Sequence, residues 1–149
     1  MLSIATIVGA LSLTIWLYLT FARGFFWQIS RSSVVSPSET DCNLRVAAVI
    51  PARDEATVIG GVVAALLRQQ GVRMPVFLVD DGSTDGTADV ARATAATLGK
   101  HEQLTVIESQ PLPSGWTGKL WAMREGTAIA SAKNPDYLLL TDADIVHAR

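Results

Sequence analysis

The feature that most constrains this chain is an alternation of short apolar runs with helical patterns across residues 45–142. The apolar runs cover residues 45–51, 76–80, 104–108 and 137–142, and they predict buried β-strands. Between them the sequence predicts helices from Val58 to near Gly71, over 88–98 with Asp85 as N-cap and Gly99 as stop signal, and over about 119–132. Strands that alternate with helices indicate βαβ units. We therefore predict an α/β fold with a mainly parallel sheet that is covered on both faces.

Polar residues follow three of the four predicted strands at the point where each strand ends. They are Arg53, Asp54 and Glu55 after the first strand, Asp80, Asp81, Gly82 and Ser83 after the second, and Asp142 and Asp144 after the fourth. In an open parallel sheet these positions share one edge, and ligands bind along that edge. Acidic residues after strands also cap helices, which explains one cluster better than it explains three. The pattern favours a polar crevice.

Asp142 and Asp144 form a D-x-D pair after a Leu-rich strand. Two carboxylates this close repel each other unless a cation lies between them. Mg²⁺ and Mn²⁺ prefer oxygen ligands and commonly join one or two carboxylates to substrate phosphates. The pair therefore predicts a divalent metal site. His147 lies three positions later, and we interpret it as a loop residue rather than a metal ligand.

Two phosphate-binding motifs are excluded. No G-x-G-x-x-G follows the first strand, and Gly118-Lys119 resembles the end of a P-loop but is followed by Leu120 where Ser or Thr is required. Lys119 at a predicted helix N-terminus is still well placed for an anion, although it could be an ordinary exposed lysine. For the flanking Trp116 and Trp121 we favour packing over sugar stacking.

The first 22 residues carry no charge, and 16 of them are apolar. Residues 2–22 would span roughly 30 Å as a helix, the thickness of a bilayer core. Aromatic residues cluster over 16–27, as in an interfacial belt. We predict an uncleaved anchor over residues 1–27 rather than a signal peptide, because no basic region precedes the apolar run and no A-x-A site follows it.

Residues 28–44 are Ser-rich and predict a linker to a domain over 45–149. The first basic residues, Arg23 and Arg31, follow the apolar run, so the positive-inside rule predicts a single-pass protein with this domain in the cytoplasm. With 12 Lys+Arg against 14 Asp+Glu, the chain lacks the basic excess of nucleic-acid-binding proteins. The single cysteine, Cys42, excludes an internal disulfide.

Four motifs together resemble the family 2 glycosyltransferases of the GT-A fold. They are VIPARDE (49–55), VDDGSTDGT (79–87), GWTGKLWAMREG (115–126) and LLLTDADI (138–145), and they cover about residues 45–149. The third and fourth motifs, after an N-terminal apolar segment, are most similar to the hopanoid-associated members. The resemblance implies a Rossmann-like, mainly parallel sheet with flanking helices, and a membrane-anchored enzyme that uses a nucleotide-sugar donor.

The same resemblance implies roles for individual residues in binding the donor. Pro51 and Glu55 would shape the nucleotide pocket, with Glu55 near the base or ribose. Asp81 would accept a hydrogen bond from the base, which is uracil if the donor is a UDP-sugar. Ser83 belongs to the same nucleotide-binding set, and Lys119 would lie near the ribose or the phosphates.

Asp142 and Asp144 would bind Mg²⁺ or Mn²⁺ and, through it, the donor diphosphate, with Asp142 also in the nucleotide-binding set. Asp85 would order the turn after the second strand, a role no more favoured than that of helix cap. The family mechanism implied is inversion, in which a base deprotonates the acceptor hydroxyl. That base is expected beyond Arg149, so we interpret the chain as the donor-binding half of a longer domain.

Two other functions remain open at the level of sequence. A nucleotidyltransferase shares the nucleotide-binding α/β layout, but it would show a Gly-rich basic loop where this chain has P-A-R-D-E. A half-domain that binds nucleotide or a partner without turnover is the other alternative. The acceptor could be a lipid, because an anchor would hold the site at the membrane.

Overall fold

A computed structural model describes residues 3–22, 44–70, 72 and 74–148 of the chain. The chain divides into two compact units, residues 1–40 and 41–149. The first contains helix α1 (Ile4–Phe21), which begins after Ser3, whose hydroxyl accepts a hydrogen bond from the Thr6 backbone N–H at 3.2 Å. By length and composition α1 could cross a membrane, a test that signal sequences also pass.

Several predictions fall outside the described residues. They are residues 28–43 of the linker, the belt aromatics Phe25, Phe26 and Trp27, the flanking residues Arg23 and Arg31, and Cys42.

The second unit contains the predicted alternation of strands and helices. Its elements are β1 (Val46–Ala52), α2 (Ile59–Leu67), β2 (Val76–Asp80), α3 (Thr87–Thr97), a short 3₁₀ turn (His101–Gln103), β3 (Leu104–Glu108), α4 (Gly118–Ser131) and β4 (Tyr137–Leu140). The strands form one sheet in the order β3-β2-β1-β4, and every neighbouring pair is parallel. The α/β fold class is therefore confirmed.

Side chains alternate across β1 and enter two apolar clusters on opposite faces of the sheet. Ala48 and Ile50 pack with the buried residues of α2 and α3, whereas Val49 packs on the other face with Ala130 of α4. Gly126 lets α4 approach the sheet closely, because a Cβ there would lie 2.5 Å from a methyl of Val49. This packing fixes the start of α4 near the carboxyl end of the sheet.

Two predicted ends were wrong by a few residues. Helix α2 ends at Leu67 rather than near Gly71. The Leu67 carbonyl accepts a hydrogen bond from Lys100 Nζ. Strand β4 ends at Leu140 rather than at residue 142. Its pairing with β1 finishes when the Thr141 N–H donates to the Val49 carbonyl at 3.1 Å, and the chain then turns.

The N-cap of α3 is also one residue from its predicted position. Gly86 occupies the cap with φ 88°, a left-handed conformation that glycine adopts without steric cost, so the prediction of Asp85 as N-cap was wrong. The predicted stop is confirmed, because Gly99, with φ 65°, follows the end of the helix.

The strand order creates a crevice at one position. From β1 the chain continues outward through β2 and β3, and it then returns to the other side of β1 with β4. Such a reversal separates the loops after the strands on its two sides, and ligands of open α/β sheets bind in the resulting crevice. The functional residues are therefore expected where β1, β2 and β4 end.

Candidate functional site

A cleft of about 280 Å³ lies at the carboxyl ends of β1, β2 and β4, beside the start of α4. It is lined by Pro51, Ala52, Arg53, Glu55, Asp81, Lys119, Asp142, Ala143 and Asp144. The structure thus brings together all the residues singled out for donor and metal binding except Ser83, which is not part of the lining. Arg53, one of the polar residues that follow the first strand, also lines the cleft.

The loop after β1 is bound to the loop after β2 by hydrogen bonds to the backbone. The Asp54 N–H donates to Ser83 Oγ at 3.0 Å, and Asp54 Oδ1 accepts from the Thr84 N–H at 2.8 Å. The Glu55 N–H donates to Thr87 Oγ1 at 2.8 Å. Asp54 has φ 54°, a left-handed conformation that Asp tolerates better than most residues. These bonds hold the Arg53–Glu55 segment against the β2 loop.

Ser83 and Asp85 do not line the cleft, but both accept hydrogen bonds from the backbone of the segment after β1. Ser83 Oγ accepts from the Asp54 backbone, and Asp85 accepts from the Ala56 N–H at 2.9 Å and from the Thr87 N–H at 3.0 Å. The Thr87 hydroxyl and these backbone donors keep the pKa of Asp85 below its usual value. Asp85 thus both orders the turn and bonds the first residue of α3.

Charge in the cleft is unbalanced. Its lining contains four carboxylates, those of Glu55, Asp81, Asp142 and Asp144, against two cations, those of Arg53 and Lys119.

Two ion pairs bring these charges together. Arg53 Nη1 lies 3.6 Å from Asp81 Oδ2, and Lys119 Nζ lies 2.8 Å from Asp142 Oδ1. Ionised, the six groups sum to −2, so the cleft can accommodate one divalent cation without becoming positive.

Gly118, the first residue of α4, lies against the Asp81 carboxylate, a contact that the sequence did not predict. A Cβ at this position would overlap the carboxylate of Asp81, so a larger residue here would displace that side chain. The available signal was a glycine immediately before the predicted start of a helix, next to Lys119. The sequence places this glycine in the motif over residues 115–126 and shows Gly118-Lys119 as similar to the end of a P-loop.

The loop between β3 and α4 is held by side chains of α4. Glu125 accepts hydrogen bonds from the Ser109 hydroxyl at 2.8 Å and the Gln110 N–H at 3.1 Å, and the Trp121 indole N–H donates to the Gln110 carbonyl at 3.1 Å. Trp116 and Trp121 pack edge to face, with ring centroids 5.4 Å apart. These contacts support the packing role that the sequence favoured for both tryptophans.

Asp142 and Asp144 meet the requirements of a hard divalent cation in donor chemistry. Within the described ranges no group of three His, Cys, Asp or Glu side chains forms a metal cluster. A carboxylate pair that lines a cleft fits Mg²⁺ or Mn²⁺, which are commonly bound by one or two carboxylates together with substrate phosphates. His147 does not line this cleft; its Nε2 lies 2.8 Å from the Thr141 hydroxyl.

The sequence profile described as Glycosyl transferase family 2 matches residues 47–149, and this chain belongs to that family. Among curated proteins, 4,4'-diaponeurosporenoate glycosyltransferase from Staphylococcus aureus strain USA300 is 34% identical over 101 residues, which cover 68% of this chain and 24% of that protein. The chain therefore spans about a quarter of the length of the curated relatives it matches. The family match favours a glycosyltransferase over a nucleotidyltransferase.

Solved structures share the GT-A-like fold. A mannosyltransferase from Pyrobaculum calidifontis, in complex with GDP-Man and Mn²⁺, aligns over 95% of this chain and 37% of its own, with a TM-score of 0.60 and 24% identity. Glucosyl-3-phosphoglycerate synthase from M. tuberculosis aligns over 70% and 35%, with a TM-score of 0.52 and 23% identity. At these identities the likeness extends to the fold alone.

Proposed function

We propose that this chain forms the donor-binding half of a membrane-anchored, metal-dependent glycosyltransferase that binds a nucleotide-diphosphate sugar. The observation that carries this proposal is the cleft at the carboxyl edge of the sheet, where four carboxylates face two cations. In an open α/β sheet this is the position at which nucleotides bind. The family assignment supports sugar transfer as the chemistry, and the GDP-Man and Mn²⁺ bound by one structural neighbour support the ligand class.

The charge of the cleft determines what must bind together. An anionic diphosphate would be repelled by a lining with net charge −2, whereas a diphosphate that arrives with a divalent cation would not. We infer that Asp142 and Asp144 hold Mg²⁺ or Mn²⁺. The bound cation would act as a Lewis acid that neutralises the charge developing on the leaving nucleoside diphosphate.

Other residues of the lining would contact different parts of the donor nucleotide. Asp81 would accept a hydrogen bond from the nucleotide base. Its carboxylate lies 3.6 Å from Arg53 Nη1 and against Gly118, two contacts that would limit its orientation. Glu55 and Pro51 would form the wall next to the base and ribose. Ser83 would contribute indirectly, through its hydrogen bond to the β1 loop.

For the donor we propose a UDP-sugar, and for the reaction direct displacement with inversion. Attack on the anomeric carbon then requires a base near the acceptor hydroxyl. That this base lies beyond Arg149 remains a prediction. A half-domain that binds nucleotide without turnover is the alternative. Sugar transfer by the purified chain itself would contradict both this alternative and the predicted place of the base.

We propose a lipid acceptor at the cytoplasmic face of a membrane, with residues 1–27 as anchor, 28–44 as linker and 45–149 as the donor-binding unit. The support is an 18-residue apolar helix with mean hydropathy 1.9, together with a curated relative named for glycosylation of 4,4'-diaponeurosporenoate. Assignment to the hopanoid-associated branch rests on the motifs 115–126 and 138–145. Transfer of labelled sugar to extracted membrane lipids would test this part.

Calorimetric titration of the full chain in detergent with UDP, with and without Mn²⁺, tests the donor site. We expect binding that requires Mn²⁺ and is lost in Asp142→Asn. Asp89→Asn is a matched control, because Asp89 is an exposed carboxylate on α3 paired with Arg92. Metal-independent binding, or equal binding by Asp142→Asn and the control, would overturn the proposal.

A further inference from the structure

Lys119 has an unfavourable position for a cation. It is the second residue of α4, where the helix dipole presents partial positive charge. The first turn of α4 contains no acidic residue, and Thr117 at the N-cap provides no side-chain hydrogen bond. A lysine here therefore gains by contact with an anion from elsewhere in the fold, and in this structure the anion is Asp142.

The contact between Lys119 and Asp142 is close but readily exchanged. Nζ lies 2.8 Å from Oδ1, while 58% of the lysine side chain and 47% of the aspartate side chain remain exposed to solvent. Exposed pairs of this kind contribute little to the free energy of folding, because water screens them and two flexible side chains must be ordered. The carboxylate can thus change partner at low cost.

A divalent cation would need the same carboxylate. Oδ1 of Asp142 cannot be fully available to a metal while it accepts from Nζ, and the ammonium group would also repel the cation. Within the described part of the chain no third acidic or histidine ligand completes a cluster. The metal alone should therefore bind weakly until a diphosphate provides oxygens to it and an anion to Lys119.

We propose that Lys119 is an internal counter-cation that occupies Asp142 in the ligand-free protein and transfers to the donor diphosphate when a divalent cation takes its place. This inference rests on the proposed donor site and adds a coupling to it. Metal and diphosphate bind cooperatively, because the cation becomes the partner of Asp142 and the diphosphate becomes the partner of Lys119 when their ion pair separates. Lys119 is then a positioning residue for the metal as well as a contact of the phosphates.

The test is Mn²⁺ binding to the full chain in detergent, followed by the EPR signal of free Mn²⁺, with and without saturating UDP. The variants are Lys119→Met, Lys119→Gln and Lys119→Arg. Lys133→Met is the matched control, because Lys133 is an exposed lysine just beyond the other end of α4 and its removal changes net charge equally.

Without UDP, we expect Lys119→Met and Lys119→Gln to bind Mn²⁺ about three- to tenfold more tightly than wild type, since they lose both competition and repulsion. Lys119→Arg and Lys133→Met should match wild type. Saturating UDP should increase the Mn²⁺ affinity of wild type by a larger factor than that of Lys119→Met.

Two results overturn the inference in distinguishable ways. If UDP promotes Mn²⁺ binding in wild type but Lys119→Met, Lys119→Gln and Lys133→Met bind Mn²⁺ equally without UDP, the counter-cation role is wrong and the donor site stands. If wild type fails to bind Mn²⁺ even with UDP, the proposed metal site itself fails, and the inference fails with it.

Discussion

At the amino end of the sheet, where β1 and β4 begin, Arg45 and Asp136 bind each other. The Arg45 backbone N–H donates to Asp136 Oδ2 at 2.8 Å, and the Arg45 guanidinium lies 3.1 Å from Oδ1. At the carboxyl end, four carboxylates meet two cations. The balanced pair of Arg45 and Asp136 joins the starts of β1 and β4, whereas the excess of carboxylates at the carboxyl end can bind a cationic ligand. The predictions below test whether this difference between the ends is the difference between structure and function.

The largest expected effect comes from removing one carboxylate charge at the carboxyl end of the sheet, compared with the same change at the amino end. Asp144→Asn should weaken Mn²⁺-dependent UDP binding at least about 100-fold, because even outer-shell partners of metal ligands cost about 10- to 100-fold. Asp136→Asn, the same change at the amino end, should leave the affinity within about twofold. Calorimetry measures both. Similar losses in the two variants would show that charge balance does not distinguish the ends.

Next in size is a change in α4, which packs between the two ends. In Gly126→Ala the new Cβ would lie 2.5 Å from a Val49 methyl and 2.7 Å from a Val79 methyl. Overpacking of this kind costs about 1–3 kcal/mol, measured by urea denaturation. Gly61→Ala is the control, because nothing lies within 4 Å of its added Cβ. An undiminished free energy of unfolding in Gly126→Ala would contradict the close packing of α4 on the sheet.

A smaller change affects only the carboxyl end. Gly118→Ala would place its Cβ against the Asp81 carboxylate and displace it. We expect UDP affinity to fall about tenfold, the loss of one hydrogen bond to a charged group, with little change in thermal stability. Gly61→Ala again provides the control. Unchanged UDP binding would remove Asp81 from the donor site.

The smallest expected effect concerns pH and the amino end. Hydrogen bonds from Arg45 keep the pKa of Asp136 below its usual value. The carboxylate therefore contributes stability that is fully present above the unfolded-state pKa of about 3.9 and is lost as pH falls through the lower folded-state pKa. Melting temperatures from pH 6 to pH 2.5 should fall less steeply in Asp136→Asn than in wild type. Parallel curves would mean that the pair contributes no pH-dependent stability.

Much of the fold was readable because the pattern of apolar runs is strong. The bounds of β2 and β3 agree with the prediction. Burial holds for β2, which lies inside the sheet, but the prediction of a buried strand was wrong for β3, an edge strand whose residues are half-buried or exposed. The cleft was readable for a related reason. Parallel strands place their carboxyl ends together, so the sequence could group Asp81 with Asp142, whereas Lys119 joined them only through the family resemblance.

What could not be read depends on contacts between distant segments. The end of α2 is set in part by Lys100, which is 33 residues away in sequence, and the position of Ser83 by a bond to the backbone of Asp54. The clearance at Gly118 exists only once α4 meets the β2 loop. The periodicity of apolar residues describes each segment alone and contains no information about contacts between distant segments.

The central claim is that the excess carboxylates at the carboxyl end of the sheet bind a divalent cation. Its most direct test is the anomalous scattering of Mn²⁺ in crystals of the protein grown with UDP. We expect a single strong peak bound by the carboxylates of Asp142 and Asp144 at about 2.1 Å, with the UDP diphosphate on its other side and Lys119 moved away from Asp142. Bound UDP with no cation at this pair, or a cation held at Asp136 instead, would contradict the account.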